Sequence, residues 1–449
     1  MKKYLQYFLL ISILIFSCTI FYECNWGHNP YYPYIPDSVL ESVEEVVTPE
    51  MFGAYGDGEH DDTDAVQQCL SKYEDSLSVC VLKNTYKCSN IIRVFPNTYV
   101  FLSGKIVANL KDTHGVSLQL FEYNGDNSNY KNKNITITGG GTIDGKGYDE
   151  STQRYNSLLR MGHGENIKIE NIKFKNAVRY HAMEITSCKN VTINNCRFEG
   201  IYAHNSCENK NLENHSVAGP HELIQIEELD SGGSGGMTPY DNTIPEDITI
   251  SNCYFGRGDG EFYKAIGDHG ERKFAYKNIK IINNTFENSI QNLAYDYTSN
   301  ASNNCIVGFY TKVQGLYISN NKFENCYANA ICASGNVEIT NNIFKNISLS
   351  CISILFDSKI KISNNTFMNF ALHNDTSKEN YITCINIGQN ENKIVVDAQI
   401  FNNNFKNNSE LTDKIIWFYE FEKSNYSIYD NTYNCNIDTS LINKYSKKS

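Results

Sequence analysis

One nine-residue phrase, Asn-Ile-x-Ile-x-Asn-Asn-x-Phe, recurs along the chain and constrains its fold more than any other feature. It reads NIKIENIKF at 166–174, NVTINNCRF at 190–198, DITISNCYF at 247–255 and NIKIINNTF at 278–286. It returns as GLYISNNKF at 315–323, NVEITNNIF at 336–344, KIKISNNTF at 359–367 and DAQIFNNNF at 397–405. NITITGGGT at 134–142 is an early variant, and NYSIYDNTY at 425–433 a worn last copy. Each copy alternates apolar and polar residues, the period of a half-buried strand, and runs into Asn, a turn former. The closest terminal aromatics are 21, 23 and 24 residues apart, about one turn of a solenoid; longer gaps are that period plus insertions. A unit this short cannot bury its own apolar face, so the copies must stack. The pattern predicts an all-β fold: a single-stranded, right-handed parallel β-helix with Phe at a turn position inside the core. Asn side chains at equivalent turns are then placed to form ladders.

Composition agrees with one long repetitive domain. Of 449 residues, 41% are hydrophobic, enough to build a large core and to exclude a disordered chain. The 39 Lys+Arg against 51 Asp+Glu leave a net charge of -12, which counts against nucleic acid as a partner. An acidic polymer would need local cations to approach such a surface. The 15 Cys have irregular spacing and include no CxxC pair, so zinc and thioredoxin-like chemistry lack support. They read as small buried hydrophobes, although Cys196 and Cys253 share one repeat slot and are candidates for a disulfide between coils.

The first residues are an address label. Lys2 and Lys3 precede an apolar run from Tyr4 to Tyr22, the pattern of a secretory signal, assigned to 1–24. Ile15-Phe16-Ser17-Cys18 resembles a relaxed lipoprotein cleavage site, with Cys18 the lipidated residue; an uncleaved anchor is the alternative. Residues 25–46 read as a tether, 47–440 as the β-helix and 441–449 as a polar tail. The expectation is a monomer, secreted or attached to the cell envelope, that meets a membrane only through its N-terminal signal or lipid.

At the start of the domain, Phe52-Gly53-Ala54-Tyr55-Gly56-Asp57-Gly58 is a Gly-rich turn, and Asp61-Asp62-Thr63 supplies good helix N-cap residues. Val66, Cys69, Leu70 and Tyr73 follow at helical spacing, predicting a short amphipathic helix that covers the open end of the first coil. The segment TPEMFGAYGDGEHDDTDAVQQCL (48–70), with NITITGGGTIDGKG (134–147), resembles the pectate-lyase-like superfamily: rhamnogalacturonases, polygalacturonases, epimerase-like proteins and phage tailspikes. The resemblance covers nearly all of the chain after its signal. It implies the β-helix, but the same scaffold carries hydrolases, lyases, epimerases and non-catalytic binders.

Function is expected at the longest insertion, the 57-residue gap between Phe198 and Phe255. It contains HELIQIEEL (221–229), where Ile224 and Ile226 point inward and leave Gln225 and Glu227 on the outer face. The next coil brings Lys264, Asp268 and His269. Glu222, Glu227, Asp268 and His269 are the candidate catalytic residues; His221, Gln225, Lys264, Glu184, Tyr295 and Tyr310 are the candidate substrate contacts. Paired carboxylates suit glycoside hydrolysis, and a His or Lys beside a carboxylate suits proton abstraction next to a uronate. Carboxylates are also ligands for Ca2+, the cofactor such a site would hold. Compared with polygalacturonases, Glu222 falls at a catalytic Asp, but the family's Asp-Asp falls on Glu261 and Phe262. Its Gly-His-Gly falls near Gln291-Asn292, and Gly162-His163-Gly164 lies too early. The resulting expectation is an exported protein that cleaves or modifies a uronic-acid-containing polysaccharide as a lyase or glycoside hydrolase, by a mechanism other than that of the polygalacturonases. The alternative is a non-catalytic polysaccharide-binding, adhesin-like surface β-helix.

Overall fold

The computed structural model describes residues 35–73, 76–110, 115–120, 132–146, 156–178, 180–202, 222–228, 243–268, 275–290, 305–372, 383–387, 395–406, 415–418 and 424–434. The expected signal at 1–24, with Cys18 as its expected lipidation residue, and the expected polar tail at 441–449 lie outside them. The chain winds into stacked coils, and its strands pair in parallel with those one coil away, forming three ladders along a rod.

The Ile-x-Ile part of each repeat makes the first ladder. Gly164–Glu170 pairs with Lys189–Asn194, which pairs with Glu246–Ser251 and then Tyr276–Ile282. Along these strands the Ile side chains are fully buried and the alternate residues reach the surface. The Phe part makes the second ladder: Lys173–Val178, Arg197–Tyr202, Tyr254–Gly256 and Thr285–Glu287 are successive rungs. The repeat is therefore strand, corner, strand. Its terminal Phe is not a turn residue, as the sequence pattern suggested, but belongs to the second strand.

Stacking of identical slots puts like on like. The rings of Phe174, Phe198, Phe255, Phe286, Phe323, Phe344, Phe367, Phe405 and Tyr433 form one continuous pile, with centroids 4.7 to 5.2 Å apart. That spacing is the ~4.8 Å distance between neighbouring strands, so the pile follows from the ladder itself. At the corner, the first Asn of each pair takes the left-handed conformation, as at Asn171, Asn195, Asn283 and Asn341, which Asn tolerates better than most residues. The second Asn turns inward. Asn284, Asn321, Asn342, Asn365 and Asn403 are buried and bond from coil to coil through their amides.

The third ladder carries the polar segment HELIQIEEL and its neighbours. Asn156–Gly162, Met183–Thr186, Glu222–Glu227, Lys264–Gly267 and Cys305–Gly308 are consecutive rungs. At the N-terminal end, Val66, Cys69 and Leu70 of the helix Thr63–Ser71 enter the main core. Asp62 occupies the N-cap position but makes no capping bond; its carboxylate instead accepts the backbone N–H groups of Tyr55 and Gly56, at 2.7 and 3.0 Å. It clasps the Gly-rich turn, where Gly56 and Gly58 have positive φ. Ile35 is fully buried against Val79, Val81 and Phe101, so the chain is already docked within the stretch read as a tether.

Candidate functional site

Register decides which polar residues of the third ladder meet. Arg160 lies beside Glu184, Glu184 beside Gln225, and Gln225 beside Gly267. Glu222 lies beside Lys264, and Thr186 beside Glu227. Ile224, Ile226 and Ile266 point into the core, as alternation requires. The residues between them do not open to solvent. Glu184, Glu222 and Glu227 are each 2% exposed, Gln225 3% and Asp268 1%.

Burying a carboxylate is costly unless it is paired, and the partners are specific. Arg160 holds Glu184 with two parallel bonds, Nε to Oε2 at 2.7 Å and a second nitrogen to Oε1 at 3.0 Å, and Ser157 donates its hydroxyl as well. Burial pushes the Glu184 pKa up, but the Arg160 and His181 charges and these hydrogen bonds outweigh it and hold the group below its usual value. Glu222 faces the Lys264 ammonium at 3.3 Å, and its second oxygen is 3.9 Å from His181 Nδ1. His181 Nδ1 also lies 2.7 Å from the Glu222 carbonyl oxygen, tying the two coils together.

Asp268 accepts the backbone N–H groups of Tyr310 and Thr311, both at 2.8 Å. Burial raises its pKa to about 6, with a further push from the Glu222 charge, against the pull of those bonds. Tyr310 is half-buried, with its hydroxyl 3.5 Å from Cys305 Sγ. The structure thus brings together Glu222 with Lys264, and Glu184 with Gln225, while Asp268 serves the next coil's backbone. His221, His269 and Tyr295 lie outside the described residues, so the expected Glu222–His269 pairing does too.

Several features escaped sequence reasoning. Arg160 lies one coil before Glu184, in a strand whose neighbouring residues Leu159 and Met161 are apolar, and nothing local marks it as the counter-ion of Glu184. Among the described residues the disulfide joins Cys305 to Cys332 of the neighbouring coil, whereas Cys196 and Cys253 are buried free thiols. His163 of Gly162-His163-Gly164 is a buried corner residue whose Nε2 meets the Thr243 hydroxyl at 3.0 Å. Phe262, at the place of the second polygalacturonase carboxylate, is fully buried in the core. Among the described residues no group of three His, Cys, Asp or Glu side chains is arranged to hold a metal ion.

No family model matches the chain. It is 31% identical over 278 residues to the plasmin and fibronectin-binding protein A of Streptococcus pneumoniae, a match covering 57% of this chain but only 38% of that protein. The crystal structure of PfbA, a surface adhesin of the same organism, superposes with a TM-score of 0.61 at 22% identity, over 86% of this chain and 91% of that one. A family 28 exopolygalacturonase of Yersinia enterocolitica gives a TM-score of 0.55 at 14% identity, over 88% and 77% of the two chains. The tailspike of E. coli bacteriophage HK620 gives 0.51 at 13% identity, over 89% and 80%. With the three parallel ladders already in place, these likenesses establish the fold of the chain, a parallel β-helix shared with these proteins.

Proposed function

We propose that this chain is a surface-displayed, adhesin-like binding protein rather than a polysaccharide-cleaving enzyme. The observation that carries the reading is the state of the third ladder: Glu184, Glu222 and Asp268 are buried and committed to Arg160, to Lys264 and His181, and to two backbone N–H groups. A general acid or base must reach the proton it moves, and these carboxylates are spent on holding coils together. Similarity to a protein named for binding plasmin and fibronectin supports the same reading. A protein of the extracellular matrix or plasma is then the first partner class to test, and export through the N-terminal signal supplies the surface location.

A second reading has its own support. Asp268 has its pKa raised to about 6, the range of a working acid, and the fold is shared with an exopolygalacturonase. One experiment separates the two. The purified chain is offered to immobilised fibronectin and plasmin, and in parallel incubated with acidic and neutral polysaccharides while reducing ends are measured. Saturable protein binding with no new reducing ends is the expected result. Turnover that falls by a factor of about 100 or more in Glu222→Gln would replace it with the enzymatic reading.

A further inference from the structure

The loop between the second and third ladders carries Arg257-Gly258-Asp259, flanked by Gly256 and Gly260. A triplet this short recurs by chance, so its placement decides whether it can act as a ligand. All three residues are exposed, and Gly260 beyond them is buried. They form the tip of a β-turn in which the Gly260 N–H donates to the Arg257 carbonyl at 3.1 Å. Gly258, the first central residue, has a φ of 54°. A primed turn requires positive φ at that place, and glycine meets the requirement without strain.

The turn is fastened to the coil before it. Ile201 and Glu261 exchange two backbone bonds, at 2.8 and 2.9 Å, and the Tyr202 hydroxyl donates to the Asp259 carbonyl at 3.0 Å. Inside the turn, Arg257 Nε donates to the Gly260 carbonyl at 3.0 Å. Gly200 lets the two backbones touch: a Cβ there would stand 2.9 Å from the Arg257 carbonyl oxygen and 3.0 Å from Gly260 Cα. These ties hold the backbone and leave the outward charges uncommitted. The neighbouring acids are taken, Glu261 by the Tyr263 hydroxyl at 2.8 Å and Glu199 by Lys173 and Arg197. The Asp259 carboxylate makes no hydrogen bond or ion pair among the described residues, and neither do the terminal nitrogens of Arg257.

A fastened tip that offers a carboxylate and a guanidinium on either side of one glycine has a definite complement. The carboxylate can give an oxygen ligand to a divalent cation that another protein holds with a coordination position open. The guanidinium matches an acidic pocket, which it can grip with two parallel bonds. Gly258 has no side chain to keep the partner's backbone away. Fixing the turn in advance lowers the ordering cost of binding. The two opposite charges also make the pair selective, since a purely acidic or purely basic partner surface satisfies only half of it.

We propose that Arg257-Gly258-Asp259 docks a cell-surface adhesion receptor that holds a divalent cation beside an acidic pocket. The inference rests on the surface display of the adhesin reading, but its test contains no fibronectin or plasmin, so each can fail alone. Integrins that read Arg-Gly-Asp have this chemistry. The probes are the purified ectodomains of the vitronectin-receptor and fibronectin-receptor integrins, offered to the immobilised full chain in Mg2+. Saturable binding is expected, lost in EDTA and competed by a soluble Arg-Gly-Asp-Ser peptide but not by Arg-Gly-Glu-Ser. Asp259→Glu keeps the charge and moves the carboxylate by one methylene. Binding should fall about tenfold or more, with Tm unchanged because the side chain is exposed. Arg257→Lys keeps the charge, loses the planar fork and should fall by a similar factor. Asp397→Asn, which alters an exposed acid of the first ladder, should bind as wild type. The proposal is overturned if neither receptor binds, if binding survives EDTA, or if Arg-Gly-Glu-Ser competes equally. It is also overturned if Asp259→Glu or Arg257→Lys binds as wild type, or if Asp397→Asn loses as much. A chain that binds fibronectin or plasmin but neither receptor loses this site and keeps the adhesin reading.

Discussion

At the corner between the first two ladders, consecutive coils bury one asparagine amide each, from Asn284 to Asn403. On the third ladder, consecutive coils bury charged side chains, Glu184, then Glu222, then Asp268, which stand at different register positions and so form a column by ladder and not by slot. Both columns satisfy buried polar groups by reaching from coil to coil. The amide column does so with identical neighbours, because an amide is donor and acceptor at once. A carboxylate cannot stack on its own kind, since like charges in close contact repel. The charged column therefore needs a different partner on each coil, and it finds Arg160, Lys264, His181 and the Tyr310–Thr311 backbone. The contrast sets a corner that repeats one bond against a ladder that needs a different bond on each coil.

The largest effect is expected in the charged column. Arg160→Met leaves Glu184 buried without its guanidinium, and breaking such a pair from one side costs about 3–5 kcal/mol. Urea denaturation of variant and wild type measures it. The double variant Arg160→Met, Glu184→Met should recover most of the loss, since an apolar pair replaces a buried charge. The sign with pH follows from the lowered Glu184 pKa. Its contribution is present above the unfolded carboxylate value and is lost as pH falls through the folded one, so Arg160→Met should show a flatter acid limb. A single variant that costs less than the amide substitution described next would mean that the two columns follow one rule.

In the amide column, Asn342 accepts the backbone N–H of Asn321 at 2.9 Å and donates to the Ile318 carbonyl at 2.9 Å. Asn342→Ala orphans both buried backbone groups, at a cost of roughly 3 kcal/mol. Thermal unfolding should register it as a clear fall in Tm, and an unchanged Tm would show that water fills the gap. This column was legible in the sequence because its slot repeats: Asn284, Asn321, Asn342 and Asn365 each stand two residues before the Phe of their copy. The Phe pile was legible for the same reason. The charged column was legible only in part. Alternation gave the inward Ile224 and Ile226 and placed Glu222 near Lys264, but burial of the outer side chains has no sequence period. Arg160 pairs with Glu184 across a coil whose length no motif announces.

The smallest effect tests whether the amide rule extends past its visible end. In the slot of the buried asparagines, the preceding coils carry Cys253 and Cys196. The bonds there run in the same directions. Cys253 Sγ accepts the Cys196 backbone N–H at 3.4 Å and lies 3.8 Å from the Ile193 carbonyl. Asn284 makes the equivalent approach to Ile250 at 2.9 Å, and Cys253 N–H already donates to the Asn284 side chain at 2.8 Å. The thiol thus imitates the amide with weaker bonds, because sulfur is a poor donor and acceptor. Cys253→Asn should extend the ladder by one rung, replacing two weak contacts with two amide bonds. The expected gain is about 1 kcal/mol, the net worth of one ordinary hydrogen bond, because the larger side chain offsets part of the benefit by crowding Cys196. A rise of a few degrees in Tm would identify the thiols as an interrupted ladder. A fall would show that this corner is shaped for small side chains.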